Sequence, residues 1–251
     1  MKKILVAFGT RPEVIKLAPV IKELKNNSFD VCILHTGQHQ ELADDMLNLF
    51  SIKPDYDLEC MRAGQDLFDL STFLLGSLKD IFSKEKPDAV IVQGDTTSGY
   101  MSAIAAFYLQ IPVFHVEAGL RSFDLKNPFP EEMNRKQIST VAALHFTPTS
   151  VAQQNLLNEG IPSSSIFVTG NTVIDALYEI KSSAQFKDNI PVILDEIPSD
   201  KKLILFTAHR RENHGAPLSD IMNAIISILE TNENTFVLFP AHPSPKVQEI
   251  V

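Results

Sequence analysis

Ile4-Leu5-Val6-Ala7-Phe8-Gly9-Thr10-Arg11-Pro12 is the stretch that decides the fold. The apolar run Ile4–Phe8 reads as a β-strand covered on both faces. Gly9 to Pro12 form a turn. Val14, Leu17, Ala18, Ile21 and Leu24 then recur at helical spacing and direct one stripe toward a sheet. Pro19 lies inside that pattern and is expected to kink the helix or divide it.

The same alternation continues outward. Val31–Leu34, Ala89–Val92, Val113–Val116, Leu144–Phe146 and Ile166–Val168 read as strands. Helices are predicted over Glu41–Phe50, Asp66–Lys84, Ser98–Leu109, Glu131–Val141 and Ser150–Glu159, the fourth opened by Pro130. A βαβ series of this kind implies a mostly parallel sheet with right-handed crossovers. Asn171–Ile180 is still helical, but Ser182–Asp200 is polar and weakly periodic, which suggests a linker. A second series follows: strand Leu203–Thr207, helix Ser219–Glu230, strand Phe236–Phe239 and a helix from about Pro245. The expected organisation is α/β, with a first domain over 1–170 and a partial second domain over 171–251.

Composition narrows the function. The 251 residues carry 22 Lys+Arg against 31 Asp+Glu, a formal charge of −9, and are 44% hydrophobic. That balance is globular, and it argues against a general nucleic-acid or anionic-membrane binder. Thr96–Val116 and Gln137–Asn158 lack charged residues but mix in Ser, Thr, Gln and Pro, so they read as buried elements rather than membrane spans. Two cysteines, Cys32 and Cys60, stand outside any CxxC or Cys/His ladder, so neither a disulfide scaffold nor a zinc module is expected. All of this suits a reducing cytoplasm.

Familiar cofactor fingerprints are missing. Gly9-Thr10-Arg11 is not GxGxxG. Gly94-Asp95-Thr96-Thr97-Ser98-Gly99 is followed by Tyr100-Met101 where a P-loop has Lys and Ser/Thr. No cofactor and no metal are expected. What remains is a set of polar residues at strand ends: Arg11, Asp95 and Glu117 in the first series, His209 and Arg210 in the second. Carboxyl edges of parallel sheets are where open α/β folds bind ligands. Each residue also has a plain structural reading. Asp95 can cap the next helix, Glu117 can pair with Arg121, and Glu131 and Glu132 can complement a helix dipole, which is the reading preferred for Glu132. Arg11 and Lys16 flank a helix start suited to an anion. His35, His39, His145 and His214 read as structural or exposed, and Cys32 and Met46 as core.

Six collinear motifs carry a resemblance. They are Phe8-Gly9-Thr10-Arg11-Pro12-Glu13 with Lys16; Gly94-Asp95-Thr96-Thr97; His115 to Arg121; Pro128 to Glu132 with Asn134-Arg135; Thr169-Gly170-Asn171-Thr172; and Thr207 to Glu212. In them the chain resembles the bacterial non-hydrolysing UDP-N-acetylglucosamine 2-epimerases. The resemblance implies a glycosyltransferase-B-like fold of two Rossmann-like domains and a cytoplasmic homodimer that interconverts UDP-GlcNAc and UDP-ManNAc for surface polysaccharide. It assigns Asp95, Glu117, Glu131 and His209 to catalysis. It assigns Arg11, Lys16, Asp95, Glu117, His209 and Arg210 to substrate binding. Gln38, Gln65 and His242 match a regulatory site, although Gly64 and Glu41 depart from the regulated pattern. Family members continue past Val251 into a segment that grips the nucleotide, so the chain is read as C-terminally truncated and its second domain as incomplete. A hydrolysing epimerase releasing ManNAc, a glycosyltransferase of the same fold and a non-catalytic binding fragment are the competing expectations.

Overall fold

A computed structural model describes residues 1–38, 40–62, 64–183, 194, 196–208 and 215–241. The chain divides into two compact units, Met1–Gln185 and Phe186–Val251. Among the described residues no helix is long and apolar enough to cross a membrane.

The first unit is built on seven parallel strands. In chain order they are β1 (Lys3–Phe8), β2 (Asp30–His35), β3 (Tyr56–Asp57), β4 (Ala89–Gln93), β5 (Val113–Val116), β6 (Leu144–Thr147) and β7 (Ile166–Val168). They lie in the order β3-β2-β1-β4-β5-β6-β7. β1 therefore has β2 on one side, with Val6 opposite Ile33, and β4 on the other, with Val6 opposite Ile91. The strand order reverses between β1 and β4, and ligands enter such sheets at that crevice.

The helices are α1 (Arg11–Asn26), α2 (Gln40–Leu49), α3 (Leu67–Glu85), α4 (Thr97–Tyr108), α5 (Glu131–Val141), α6 (Ser150–Asn158) and α7 (Val173–Ser182). Period-two alternation sorts them into two layers. Leu5 and Ala7 of β1 pack with Leu74 and Leu78 of α3, Ala103 of α4 and Ile138 of α5. Ile4, Val6 and Phe8 pack on the other face with Val14, Leu17 and Ile21 of α1 and Leu47 of α2. Cys32 belongs to the first cluster, and Met46 packs against the second.

Three details differ from the sequence reading. Of the two outcomes expected at Pro19, division does not occur: α1 is continuous, and the buried stripe of Val14, Leu17, Ala18 and Ile21 outweighs the loss of one helical hydrogen bond. β3 has only two residues, too few for any periodicity to announce, and is held as an edge by Leu34 and His35 of β2. The first unit also runs on to Gln185, because α7 packs against α1, with Lys22 and Glu179 paired at 2.8 Å.

In the second unit β8 (Lys202–Leu205) and β9 (Thr235–Leu238) pair in parallel, and α8 (Ala216–Thr231) connects them. The predicted helix from Pro245 lies outside the described residues.

Candidate active site

The turn after β1 is shaped by two constraints. Gly9 has no room for a Cβ, because the Ser98 and Thr36 hydroxyls occupy that space, and those hydroxyls bond each other at 2.8 Å. Pro12 stands in the first turn of α1, where its missing N–H costs nothing. Arg11 is thereby set at the helix start, exposed at the carboxyl edge of β1.

The loop after β4 carries Gly94, Asp95 and Thr96, and each is held by a different buried side chain. Gly94 sits at φ +68 and its carbonyl oxygen is 2.7 Å from Nε2 of His115. The carbonyl of Asp95 accepts from Nδ2 of Asn134 at 2.9 Å. The hydroxyl of Thr96 donates to Oε1 of Glu13 at 2.8 Å and accepts from the Gly99 amide at 2.9 Å. Thr96, not Asp95, is thus the N-cap of α4. The Asp95 carboxylate is released from capping and pairs with Nη2 of Arg135 instead. Burial pushes the Asp95 carboxyl above the ordinary aspartate range; Arg135 opposes this, while the charges of Glu131 and Glu117 reinforce it.

Glu117 follows β5 in left-handed backbone, φ +62, an uncommon conformation for a residue with a side chain. Its Oε1 meets Lys16 Nζ at 2.6 Å and Gln93 Nε2 at 3.0 Å, and its Oε2 accepts from Asn171 Nδ2 at 2.8 Å. The Glu117–Arg121 pair considered from sequence is not formed. Arg121 turns away to Glu159, at 2.7 Å, and holds the Glu159 carboxyl below its usual range.

Glu131 opens α5 and lines a cavity of about 270 Å³ together with Thr10, Gln38, Thr96 and Asn134. Glu132, its neighbour, is fully buried at the start of α5. It accepts from the backbone amides of Ser122 and Phe123 at 3.0 and 3.2 Å and lies 3.3 Å from Arg135. Glu132 keeps the first-turn place in α5 on which the dipole reading rests, and it also anchors a loop. A larger hollow of about 600 Å³ runs along α1 and α7 beside Lys22 and Glu179, away from the Asp95–Glu117–Glu131 group.

The structure therefore brings Lys16, Asp95, Glu117 and Glu131 to one edge of the first sheet, with Arg11 at the adjoining helix start. Gln38 joins them, its Oε1 accepting from the Ser98 hydroxyl at 2.8 Å. Gln65 does not line that cavity; it borders a separate hollow with Arg62 and Phe68. His209, Arg210 and His242 lie outside the described residues, as do His39 and His214. His35 and His145 are buried within the first unit, bonded to Asp57 at 3.1 Å and to the Ser139 carbonyl at 3.0 Å. Sequence reasoning missed Glu13, His115, Asn134 and Arg135 as site builders, although all four stand inside motifs it had quoted.

A parallel sheet with its switch point between β1 and β4, rimmed by three carboxylates and two cations, defines the class: an α/β, glycosyltransferase-B-like protein with Rossmann-like units. A crystal structure of Acinetobacter baumannii MurG, 17% identical with a TM-score of 0.53 over 97% of this chain and 69% of its own, shares the fold. The family profile described as UDP-N-acetylglucosamine 2-epimerase matches residues 22–251. A relative from Campylobacter jejuni named UDP-N-acetylglucosamine 2-epimerase is 45% identical over all of this chain and 68% of its own length. The crystal structure of UDP-GlcNAc 2-epimerase from Neisseria meningitidis bound to UDP-GlcNAc is 44% identical, with a TM-score of 0.89 over 100% of this chain and 68% of that one. The chain belongs to the UDP-N-acetylglucosamine 2-epimerase family.

Proposed function

We propose that the protein interconverts UDP-GlcNAc and UDP-ManNAc by inverting C2 of the sugar. The observation that carries the reading is the grouping of Asp95, Glu117 and Glu131 at the sheet edge beside Lys16, within a family whose Neisseria member was solved with UDP-GlcNAc.

The chemistry explains why such a set is needed. C2 of an N-acetylhexosamine carries a hydrogen with no carbonyl beside it, so direct deprotonation is too slow. Expelling UDP from C1 builds positive charge there and acidifies the C2 hydrogen. A base removes that proton, giving 2-acetamidoglucal and UDP. UDP then adds back at C1 while a proton returns to C2 from the opposite face. Atoms balance without any redox partner.

Two acid/base groups of different poise serve the two faces. We assign these to Asp95, with its burial-raised carboxyl, and Glu131. Glu117, fixed by Lys16, Gln93 and Asn171, serves as the supporting carboxylate. Arg11, Lys16 and the N-terminus of α1 are assigned to the leaving diphosphate; His209 and Arg210 keep the substrate-binding role that the family resemblance implies for them. A homodimer, a cytoplasmic location, a role in surface polysaccharide synthesis and a regulatory role for Gln38, Gln65 and His242 belong to the same proposal.

Incubation with UDP-GlcNAc in D2O, followed by proton NMR, tests it. UDP-ManNAc with deuterium at C2 is the expected product. Free ManNAc and UDP in its place point to the hydrolysing reaction. In Asp95→Asn, deuterium uptake at C2 is expected to vanish; undiminished uptake removes Asp95 from the proton transfers.

A further inference from the structure

Glu13 is a buried carboxylate, 1% exposed, for which the proposed chemistry has no use. Its Oε2 accepts from the amides of Gly9 and Thr10, at 3.0 and 2.8 Å, and from the Thr10 hydroxyl at 2.8 Å. Its Oε1 accepts from the Thr96 hydroxyl at 2.8 Å. The two oxygens are thus divided between two loops: one follows β1 and presents Arg11, the other follows β4 and presents Asp95.

A glutamate three residues into a helix often does no more than close a capping box. α3 shows how little that task needs. Asp66 and Asp69 form the same reciprocal box there, and both are exposed to solvent. Glu13 has one methylene more than Asp69, is buried, and bonds a residue 83 positions away in the chain. Capping α1 explains the contacts of Oε2 but not the contact of Oε1.

We propose that Glu13 is a positioning residue that fastens the Arg11 loop to the Asp95 loop across the switch point of the sheet. The proposal rests on the reading of Arg11 as a diphosphate ligand and Asp95 as a proton-transfer group. His115 and Asn134 tie the Asp95 loop to β5 and α5; Glu13 ties it to the β1 side. Elimination requires the base at C2 and the cations at the leaving group to keep their separation while charge develops. A misplacement of about 1 Å costs roughly 100-fold in rate. One carboxylate with all its donors aimed inward supplies that stiffness without touching substrate.

The test uses Glu13→Asp, Thr96→Val and the double variant in the full chain. Glu13→Asp keeps a carboxylate at the cap, as Asp69 does in α3, but is too short to serve both loops, so a thermal midpoint close to wild type is expected. Thr96→Val removes one hydroxyl from the β4 loop. Its expected mark is on the other loop: hydrogen exchange at the Gly9 and Thr10 amides about ten-fold faster, as local opening becomes easier. In the epimerisation assay each single variant is expected to lose ~10- to 100-fold in kcat with little change in KM, and the double variant no more than the worse single. Thr96→Ser is expected to restore both readouts. Exchange changes confined to residues 96–99, or a double variant whose loss is the product of the single losses, overturn the proposal. If the wild-type chain converts no UDP-GlcNAc, the functional reading fails, and the exchange at Gly9 and Thr10 still decides whether Glu13 couples the loops.

Discussion

Lys16 Nζ stands 2.6 Å from Glu117 Oε1, joining the second turn of α1 to the residue that follows β5. The two are 101 positions apart in sequence. Glu117 is held at φ +62 while its carboxylate takes three donors. Such strain is retained where surrounding structure over-determines it, and sites of function are where it gathers.

Lys16→Met removes the cation and leaves the carboxylate to Gln93 and Asn171. A charge-assisted bond in this setting contributes ~1.5–3 kcal/mol, and both side chains keep some solvent contact, so a loss near the lower figure is expected. Lys16→Met combined with Glu117→Gln is expected to lose less than the sum of the two, because no unpaired charge remains. Urea unfolding of the four proteins measures the coupling; strict additivity contradicts it.

Arg135 joins two acids, the Asp95 carboxylate and Glu132. Burial has already lifted the Asp95 carboxyl, and Arg135 is the group that opposes the shift. Arg135→Met is therefore expected to raise the Asp95 pKa further. If Asp95 works as the base, the acid limb of kcat/KM for epimerisation moves to higher pH by about one unit or more. Arg135→Lys moves it less. An acid limb that stays in place in Arg135→Met excludes Asp95 as its origin.

Glu132→Ala takes the acceptor from the amides of Ser122 and Phe123 and from Nη1 of Arg135, whose Nη2 keeps Asp95. Phe123 is itself at φ +64, so its backbone depends on that anchor. A buried donor left unpaired costs ~1–3 kcal/mol; Ser122 and Phe123 are exposed residues whose amides water can partly satisfy, so a loss toward the lower figure is expected. The expected result is the largest fall in thermal midpoint among single substitutions on α5, with Glu132→Gln intermediate. A midpoint within a degree of wild type in Glu132→Ala contradicts the anchoring role and leaves the helix-dipole reading alone.

Much of the scaffold could be read directly from the chain, because burial on both faces writes itself as apolar runs. Ile4–Phe8 and Ala89–Val92 are such runs, and the stripe from Val14 to Ile21 is buried as its spacing implies. The strand ends then located Arg11, Asp95 and Glu117 without further information. What stayed hidden was the partner of each polar group. Glu117 pointed to Arg121, four residues on, yet its ion-pair partner Lys16 lies across the sheet. Arg121 meanwhile found Glu159, 38 positions away. Glu13 and Glu132 look like ordinary first-turn acids, since no periodicity distinguishes a carboxylate facing solvent from one folded over a neighbouring loop. Motif membership was the signal available for them: both stood in quoted segments, and the residues of such a segment that have no direct chemistry are where anchors are found.

Glu13 and His115 are both buried, yet their titrations act on stability with opposite slopes. Burial outweighs the hydrogen bonds of Glu13 and lifts its carboxyl from 4.5 to about 7. The folded protein then keeps a proton that the unfolded chain has released, so this contribution is complete below pH 4.5 and is lost as pH rises through 7. Burial lowers the His115 imidazole from 6.5 to about 3, which leaves Nε2–H as the donor to Gly94. There the unfolded chain takes up the proton first, so that contribution is complete above pH 6.5 and is lost as pH falls toward 3. Each changes stability by ~1.4 kcal/mol per pH unit within its window, and between pH 4.5 and 6.5 the two oppose each other. Glu13→Gln removes one titration. His115→Gln removes the other while keeping an amide donor for Gly94. Urea unfolding across pH 4.5–6.5 is therefore expected to give a nearly flat difference between wild type and the double variant. The single variants are expected to tilt in opposite directions, Glu13→Gln gaining on wild type as pH rises and His115→Gln gaining as it falls. Two single variants that run parallel to wild type show that neither group titrates in the way its burial demands.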